Sequence, residues 1–332
     1  MKTIQLSHGG GGQASNTLIH ELFYQHFNNE ILIKAEDAAV LKVDKNIAFT
    51  TDSFTVTPLF FKGGDIGKLA IAGTVNDLAM MGAKPLYLSA SFIIEEGFAL
   101  EKLEKIVISM AQELKISGAQ IVCGDTKVVP RGSLDQLFIN TAGIGEIKQN
   151  DISATNINEG DTIIVSRDIG RHEATLLMTR EELEVSANLK SDCQTLWPTI
   201  EALLKAKLPI KAMRDATRGG LAAVLNEWAT SSEICIEIEE AKVPICDEVQ
   251  GICEIFGFNA LEFANEGTCI LAVKDDKAQE TLEVLQQFDF CQEASVIGKA
   301  TLKHPKKVIL NSEYGSSRFL DLPKGELLPR IC

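Results

Sequence analysis

Residues 63–82 read GGDIGKLAIAGTVNDLAMMG, an apolar stretch that begins with two glycines and an aspartate. The Asp65 side chain is of the type that caps the first N–H groups of a helix. A helix is therefore predicted from Asp65 to about Met81, and Gly82 would end it because glycine tolerates the backbone geometry that follows a helix. Strands and helices alternate on both sides of this helix, which favours an α+β fold.

The hydrophobic pattern divides the chain into two α+β halves. The first half contains predicted helices at residues 16–27, 65–81 and 100–117 and strands at 38–43, 47–51, 86–94, 120–123 and 137–145. The second half contains predicted helices near 171–182, 195–206, 218–229 and 278–288 and strands at 162–166, 234–238, 260–264, 268–273, 294–297 and 308–310.

The polar segment 151–160 separates the two halves, and 332 residues exceed one typical core, so two domains are predicted: residues 1–155 and residues 156–310. The remaining residues, 311–332, are rich in turn formers and are predicted to be a flexible tail that ends in Cys332. A thiol at the end of a mobile tail can carry a covalent group between sites. The alternative is that Cys332 has no role beyond ending the chain.

The composition is that of a globular protein with excess negative charge. Hydrophobic residues make up 45% of the chain, and 32 Lys and Arg against 46 Asp and Glu give a net charge of −14. This charge and an aromatic content of 6% disfavour DNA or RNA as a partner. No stretch approaches the ~18 apolar residues of a membrane span. Eight cysteines without a CxxC pair predict reduced thiols in a cytoplasmic protein. The N-terminus lacks the apolar run of a signal peptide, which favours the same location.

Four aspartates stand at strand ends or at polar positions in apolar surroundings: Asp37, Asp52, Asp77 and Asp125. Carboxylates and substrate phosphates together form the usual environment of Mg²⁺. Each of these aspartates, taken alone, is as readily explained as a cap or a solvated turn. Asp77 is harder to explain in that way, because Asn76 and Asp77 interrupt an otherwise apolar helix. The two side chains point in different directions, so one of them can simply face solvent.

Glycines and cations suggest phosphate binding. Four glycines follow His8, and the backbone N–H groups of glycines can approach phosphates closely because no side chain intervenes. The segment is not a Walker A loop. A disordered N-terminus is as good an explanation. The lysine candidates are Lys62, Lys68 and Lys127, the last following Gly124-Asp125-Thr126.

The second half offers two further segments of interest. Arg214, Arg218 and a glycine pair precede a predicted helix and suit an anion, with a plain helix cap as the alternative. Residues 265–268 lie between two predicted strands, where a bare hairpin turn would need no function.

Taken in order, these segments resemble the aminoimidazole ribonucleotide synthetase superfamily of ATP-using enzymes, and within it the hydrogenase maturation factors. The resemblance covers nearly the whole chain and rests on His8 with its glycines, Thr51-Asp52-Ser53, Pro58–Phe61 leading to Gly63–Ala70, Gly73–Asp77, Gly124–Val129, Arg214–Gly220 and Asn265–Gly267. The ending Pro329-Arg330-Ile331-Cys332 is the most specific part, because other members of the superfamily lack it.

The resemblance implies a two-domain PurM-like fold, with an N-terminal sheet-and-helix domain that forms a dimeric barrel with a second copy, and a C-terminal α/β sandwich domain. It implies ATP and Mg²⁺ as cofactors. It also implies a reaction. A HypF-type carbamoyltransferase places a carbamoyl group on the terminal thiol, and the chain dehydrates this thiocarboxamide to a thiocyanate with ATP. The cyano group then passes to iron on the HypC–HypD complex for a [NiFe] hydrogenase.

The resemblance assigns roles residue by residue. Magnesium and phosphate would be handled by Asp37, Asp52, Asp77 and Asp125, and the other nucleotide-binding positions would be Gly9, Gly11, Gly12, Lys62, Lys68, Asn76 and Thr126. Lys127 would stabilise transferred phosphoryl charge. Glu266 would be the base, with Asp77 as its rival, and Cys332 would carry the substrate. Arg330 would guide the tail by pairing with an acidic wall, or serve partner recognition.

One segment departs from the pattern and two rival functions remain open. Gly170-Arg171-His172-Glu173 stands where relatives often have Gly-Asp-His-Gly, so no site role is predicted there and His172 is interpreted as a structural or surface residue. A superfamily enzyme that phosphorylates a small molecule would not need Cys332. A scaffold that uses the tail only for docking would not need the aspartates, Lys127 or the glycine loop.

Overall fold

Helices and strands alternate along the chain as the hydrophobic pattern predicts. The computed structural model describes residues 3–9, 13–34, 41, 46–181, 188–323, 328 and 330–332. Its α-helices are α1 Gln13–Leu18, α2 Tyr24–Phe27, α3 Ile66–Met80, α4 Leu100–Ser117, α5 Arg171–Arg180, α6 Trp197–Lys205, α7 Gly220–Ser232, α8 Asp247–Phe256 and α9 Ala278–Leu285. A π-helical turn, Ile19–Phe23, joins α1 to α2.

The strands form two main sheets and one short pair. They are β1 Ile47–Phe54, β2 Phe60–Phe61, β3 Gly64–Asp65, β4 Ala83–Glu95, β5 Gln120–Val129, β6 Leu137–Ile147, β7 Thr162–Val165, β8 Ile210–Asp215, β9 Cys235–Glu239, β10 Cys269–Val273, β11 Ser295–Thr301, β12 Lys307–Asn311 and β13 Ser317–Phe319. The order is β1-β6-β4-β5 in the first sheet and β13-β12-β9-β11-β7-β10-β8 in the second. The expected two-domain α+β architecture is confirmed.

The helix predicted from Asp65 is α3, and it lies across the first sheet. The Asp65 carboxylate accepts hydrogen bonds from the backbone N–H groups of Gly67 and Lys68, at 2.7 and 3.1 Å, so the predicted cap is present. Gly82 follows the helix with φ +64°, a geometry that favours glycine. Almost every residue of α3 is buried, because α4, α6 and β8 also pack against it. This position puts the helix between the two domains.

The first sheet has one covered face and one open face. Along β1, Thr50, Asp52 and Phe54 point towards α3, since successive side chains of a strand alternate between faces. Phe49, on the opposite face, is 67% exposed, and Ile93 of β4 is exposed on the same face. The open face is therefore partly apolar.

The two domains share an apolar core. Leu69 of α3 and Leu103 of α4 belong to the same buried cluster as Leu196, Ile200 and Leu271 of the second domain. The boundary predicted between residues 155 and 156 falls where the chain passes from one sheet to the other. In the described part of the chain, no helix is both long and apolar enough to cross a bilayer.

Several predicted elements differ in the structure. Residues 260–264 do not form a strand: Ala260–Glu262 is a 3₁₀ turn, so residues 265–268 are not a hairpin turn between two strands. The strand predicted at 120–123 continues to Val129. The strand predicted at 38–43 lies outside the described residues, apart from residue 41.

The segment 311–332 is not wholly a tail outside the second core. Its first part forms β13, which pairs with β12, and Leu320 is buried in the core of the second domain. Packing in the second domain thus extends beyond residue 310, and the predicted domain bounds stay a prediction.

Candidate active site

β1 and α3 bring two of the predicted carboxylates together. The Thr50 hydroxyl donates to Asp77 Oδ2 at 2.7 Å, and Asp52 lies two residues further along the same face of β1. Gly73 of α3 lies beneath them, since a Cβ there would come within 2.9 Å of the Phe54 ring and 3.8 Å of Asp52 Oδ2. Burial raises the pKa of Asp77, the Thr50 hydroxyl opposes this, and the charge of Asp52 raises it further.

The second domain adds a carboxylate and two cations at the start of α7. Asp215 ends β8, and burial together with the charge of Asp77 raises its pKa to about 7. Arg214 opposes the rise at both Asp77 and Asp215, and Arg218 acts in the same direction on the pKa of Asp52. The positive charges of Arg214 and Arg218 are therefore near enough to lower the pKa of these carboxylates, although the Arg214 guanidinium itself pairs with Glu227 at 2.7 Å.

Glu266 lies in a tight turn whose backbone is held by Asp192. The two Asp192 carboxylate oxygens accept the N–H groups of Glu266 and Gly267 at 3.1 and 2.9 Å, and the Thr268 hydroxyl donates to the same carboxylate at 2.8 Å. A side chain on Gly267 would collide with the backbone of Asp192, so the turn requires glycine.

The Glu266 side chain is 3% exposed, and its Oε1 has no hydrogen-bond partner among the described residues. Burial raises the pKa of Glu266 well above its usual value, and the nearby carboxylates Asp215, Asp192, Asp52 and Asp77 add to the effect. Glu266 therefore points into a crowded acidic cluster and holds its proton tightly until a cation or a polar ligand enters.

Asn76 joins the two domains. Its Oδ1 accepts the backbone N–H of Leu196 at 2.7 Å, and its Nδ2 donates to the carbonyl oxygens of Gln194 and Glu266 at 3.0 and 3.5 Å. The amide is 1% exposed, and both ends of it are occupied. The structure thus shows that Asn76 bridges the two domains. The nucleotide-binding role that the resemblance assigned to Asn76 stays a prediction.

Asp125 and Lys127 lie on the other side of the first sheet. They form an exposed ion pair at 3.0 Å on the face that also carries Ser91, Ile93 and Asn140. Asp52 lies on the covered face, so the structure does not bring Asp125 and Lys127 into the cluster of Asp52, Asp77 and Glu266. Between them, Thr126 points towards the covered side.

The other predicted lysines lie away from the carboxylate cluster. Lys68 Nζ donates to the Gly63 carbonyl oxygen at 3.2 Å and lies 3.7 Å from the buried Glu113, nine residues before Asp77 on α3. That separation is about 13 Å along the helix axis. Lys62 is exposed, and its carbonyl oxygen accepts the Ser191 N–H. Neither amino group neutralises Asp52 or Asp77.

The metal and nucleotide predictions are only partly covered by the described residues. Asp37, Gly11 and Gly12 lie outside them, and Gly9 ends a short 3₁₀ turn, Leu6–Gly9. Within the described ranges, no group of three or more carboxylate, imidazole or thiol side chains is arranged to hold a metal ion. The pair Asp52 and Asp77 still fits Mg²⁺, which usually takes one or two carboxylates and completes its shell with phosphates and water.

The C-terminal residues are docked against the chain that continues from β1. The Thr55 N–H donates to the backbone oxygen of Cys332 at 2.8 Å, and the Thr57 N–H donates to that of Arg330 at 3.2 Å. The Arg330 side chain pairs with Asp135 and lies over the Phe138 ring. Thr55 is three residues beyond Asp52, so their Cα atoms are no more than about 11 Å apart.

Three residues of this region were missed by the sequence interpretation: Asp192, Asp215 and His172. Asp192 is a single acid in a polar loop, which looks like a cap. Asp215 lies between Arg214 and Arg218, which were interpreted as an anion site, and it was given no role of its own. His172 has no ligand spacing, and only the structure shows that its ring bonds the carbonyl oxygen of Ile331.

Comparison with known proteins gives the same family at every level. Residues 35–147 match the N-terminal domain, and residues 158–311 the C-terminal domain, of AIR synthase related proteins. Carbamoyl dehydratase HypE of Escherichia coli (strain K12) is 46% identical, and the match covers 100% of both chains.

Solved structures agree. Hydrogenase maturation protein HypE in complex with ATP superposes with a TM-score of 0.96 at 41% identity, covering 99% of this chain and 100% of that one. The HypE chain of a HypE–HypF complex gives 0.81 at 47% identity, with 92% and 99% covered. A thiamine monophosphate kinase from Aquifex aeolicus, 19% identical with a TM-score of 0.64, shares the fold alone. The chain therefore belongs to the HypE family of hydrogenase maturation proteins, carbamoyl dehydratases of the PurM-like superfamily.

Proposed function

We propose that this chain uses ATP to dehydrate a carbamoyl group carried on the Cys332 thiol, converting the thiocarboxamide to a thiocyanate for the iron of a [NiFe] hydrogenase. One observation carries the proposal. The backbone of Cys332 is bonded to Thr55 on the segment that leads directly from Asp52, so the carrier residue is docked at the edge of the carboxylate cluster. A terminal cysteine whose backbone is docked at the edge of such a cluster is expected of a carrier and has no use in an enzyme with a small diffusible substrate.

The chemistry requires phosphate as the leaving group. An amide oxygen leaves poorly, so the carbamoyl oxygen first attacks the γ-phosphorus of ATP, and its P–O bond to ADP breaks. Loss of the amide protons and cleavage of the C–O bond then give the nitrile, phosphate and ADP. The site has to hold phosphates, remove a proton and exclude water from the intermediate.

The described residues divide these tasks. Asp52 and Asp77 would hold Mg²⁺, which supplies charge neutralisation for the phosphates when it is bound. Arg214 and Arg218, whose charges lower the pKa of Asp77 and Asp52, would supply positive charge from the second domain. Glu266 is the preferred base over Asp77, because its Oε1 has no partner and a carboxyl group that holds its proton tightly is a strong base once ionised.

Other parts of the assignment stay proposals. Residues 1–155 would bind ATP and dimerise, residues 156–310 would close the site, and the nucleotide would also contact Asp37, Gly9, Gly11, Gly12, Lys62, Lys68, Asn76, Asp125 and Thr126. The open face of the first sheet would form the homodimer barrel, which places Lys127 at the interface between copies. A HypF-type carbamoyltransferase and the HypC–HypD complex would be partners in the cytoplasm; a related HypE chain has been solved with HypF.

Intact mass measurement tests the proposal directly. The chain is incubated with its carbamoyltransferase, carbamoyl phosphate and ATP, and then with magnesium and ATP. We expect a carboxamide on Cys332, followed by the loss of one water only when the ATP is hydrolysable. A wild-type chain whose Cys332 stays unmodified while ATP is still hydrolysed with small molecules would contradict the proposal.

Two variants sharpen this test. Cys332→Ala should stay unmodified and keep its ATP affinity. Asp77→Asn should accept the carboxamide and lose at least about 100-fold in dehydration, because asparagine keeps a partner for Thr50 but loses the charge facing Mg²⁺. Dehydration at the wild-type rate would remove Asp77 from the site.

A further inference from the structure

His172 is a buried residue in the first turn of α5 that the reaction scheme above does not use. Its Nε2 lies 2.7 Å from the Ile331 carbonyl oxygen, and its Nδ1 lies 2.7 Å from the Ser191 hydroxyl. A carbonyl oxygen only accepts, so Nε2 carries the proton, and the neutral ring accepts the Ser191 hydroxyl at Nδ1. Burial lowers the pKa of His172, which favours this neutral form. The ring therefore has a fixed orientation, with one edge on the tail and the other on Ser191.

Ser191 connects this ring to the Glu266 turn through the adjacent residue. Its backbone N–H donates to the Lys62 carbonyl oxygen at 2.9 Å, and its hydroxyl accepts the Cys193 N–H at 3.0 Å. Asp192 is the acid that holds the backbone of Glu266 and Gly267. Residues 330–332 occupy a groove lined by Thr55, Thr57, His172 and Arg180. Ser191 bonds the His172 ring of this groove, and the next residue, Asp192, bonds the turn that carries Glu266.

The other hydrogen bonds to the C-terminal residues reach the backbone oxygens of Arg330 and Cys332, not that of Ile331. Thr55 bonds the Cys332 oxygen, and Thr57 and the Arg180 guanidinium bond the Arg330 oxygen. Among the described residues, the His172 side chain is the one that bonds Ile331, the residue directly before the carrier. Ile331 is itself 4% exposed, so its carbonyl oxygen would be buried without a partner if this donor were removed.

We propose that His172 is a positioning residue for the dehydration, which seats the Ile331-Cys332 dipeptide in its groove and, through Ser191, ties that seat to the turn that carries Glu266. The proposal rests on the proposed function. His172 does not touch the carbamoyl group; it sets the fraction of molecules in which the carrier is docked beside the site. Carbamoylation by the partner enzyme would need the tail outside the groove, so the loss of this hydrogen bond should not slow it.

Two substitutions of similar shape test the hydrogen bonds of the two ring nitrogens separately. In His172→Gln the amide nitrogen reaches the place of Nε2 and keeps a donor for Ile331, whereas in His172→Asn the amide reaches only the place of Nδ1 and keeps a partner for Ser191. Each full-length variant is carbamoylated by the partner enzyme, and the loss of water with magnesium and ATP is then followed by intact mass. Alkylation of the unmodified Cys332 thiol is measured in parallel on the C-terminal peptide.

We expect His172→Asn to lose on the order of tenfold in dehydration rate, the usual effect of an unmade buried hydrogen bond. Alkylation of Cys332 should be faster, and carbamoylation should be no slower than in wild type. His172→Gln keeps a donor for Ile331 but leaves the Ser191 hydroxyl without its acceptor, so its dehydration rate should lie between those of wild type and His172→Asn. Equal rates in wild type and His172→Asn would overturn the proposal. So would an equal loss in both variants with lower thermal stability, which is the signature of a structural role alone.

A third variant covers the case in which both substitutions fail to fold. Ser191→Ala removes the hydrogen bond at Nδ1 and leaves the ring in place, so dehydration should fall while carbamoylation does not. An unchanged dehydration rate in Ser191→Ala would then count against the proposal. A wild-type chain that never loses water would instead refute the proposed function, so the two failures are distinguishable.

Discussion

Asp77 and Glu266 are carboxylates of one cluster, yet their surroundings suit them to different tasks. Asp77 accepts the Thr50 hydroxyl at 2.7 Å and faces Asp52, a pairing suited to a divalent cation. Glu266 has an oxygen without a partner and is buried more deeply. A cation that binds between Asp52 and Asp77 would lower the pKa of both, and would also ease the ionisation of Glu266.

Asp215 gives the stability of the protein a pH dependence. Its pKa is about 7 in the folded chain, against about 3.9 for an unfolded aspartate, so between these values the folded state binds more protons. The free energy of unfolding therefore falls as the pH rises from about 4 to about 7. Asp215→Asn should reduce this fall by at least about 1 kcal/mol; the full shift is not assigned to Asp215 alone, because its titration is shared with the nearby carboxylate Asp77.

Urea denaturation at about pH 5 and about pH 8 measures the difference. Asp276→Asn, at an exposed position, is the matched control and should follow the wild type. A wild-type pH dependence that persists in full in Asp215→Asn would show that other buried acids, such as Glu266, are responsible.

At the residue scale, the sequence was most informative where a polar side chain interrupts an apolar pattern. Asp77 stood out for that reason, and the structure places it beside Asp52. Asp192 and His172 gave no such signal, because one lies in a polar loop and the other starts a helix. Their partners are 75 and 159 residues away in the chain, and only folding brings them together.

At the element scale, the turn that carries Glu266 depends on a glycine. Gly267→Ala should cost on the order of 3 kcal/mol, because the new Cβ would collide with the Asp192 backbone. Gly251→Ala, on α8, meets open space and should instead stabilise the chain by roughly 0.5–1 kcal/mol, since alanine favours helix. Chemical denaturation of the two variants checks both signs. A neutral Gly267→Ala would mean that the turn shifts without cost.

The elements that were predicted well are long and strongly periodic. The helix at 100–117 was predicted with the bounds that α4 has, and the Asp65 cap fixed the start of α3. Residues 260–264 were assigned wrongly, because a short apolar run that is buried in a 3₁₀ turn has the pattern of a buried strand. β5 was predicted too short because Gly124 interrupts the strand pattern of the sequence. In the structure this glycine is required within the strand, since a side chain there would collide with the Ala90 carbonyl oxygen of β4.

At the scale of the whole molecule, the open face of the first sheet predicts a dimer. Phe49→Asp should convert dimers into single chains of 36.1 kDa, because a charge on this partly apolar face would be buried between copies. Ile255, which like Phe49 is 67% exposed, provides the control, and Ile255→Asp should stay dimeric. Sedimentation velocity separates the two sizes. A wild-type chain that sediments as a single copy would contradict the dimer.

The docked end of the chain is a feature of the whole molecule that the sequence did not predict. The turn formers between residues 311 and 325 suggested a free tail, but β13 pairs with β12, and residues 330–332 bond segments 55–57 and 172–180. Local composition describes how easily a segment bends. It does not describe which distant groove receives the end of that segment.

The core shared by the two domains also affects how the chain is made. Residues 1–155 leave the ribosome while Leu196, Ile200 and Leu271, which cover part of their apolar surface, are still to be translated. At about 5–20 residues per second, this interval lasts on the order of 10 seconds. During that time, the side of α3 that later meets the second domain is a binding site for chaperones, and a messenger truncated near codon 155 would yield an aggregation-prone fragment rather than a working half.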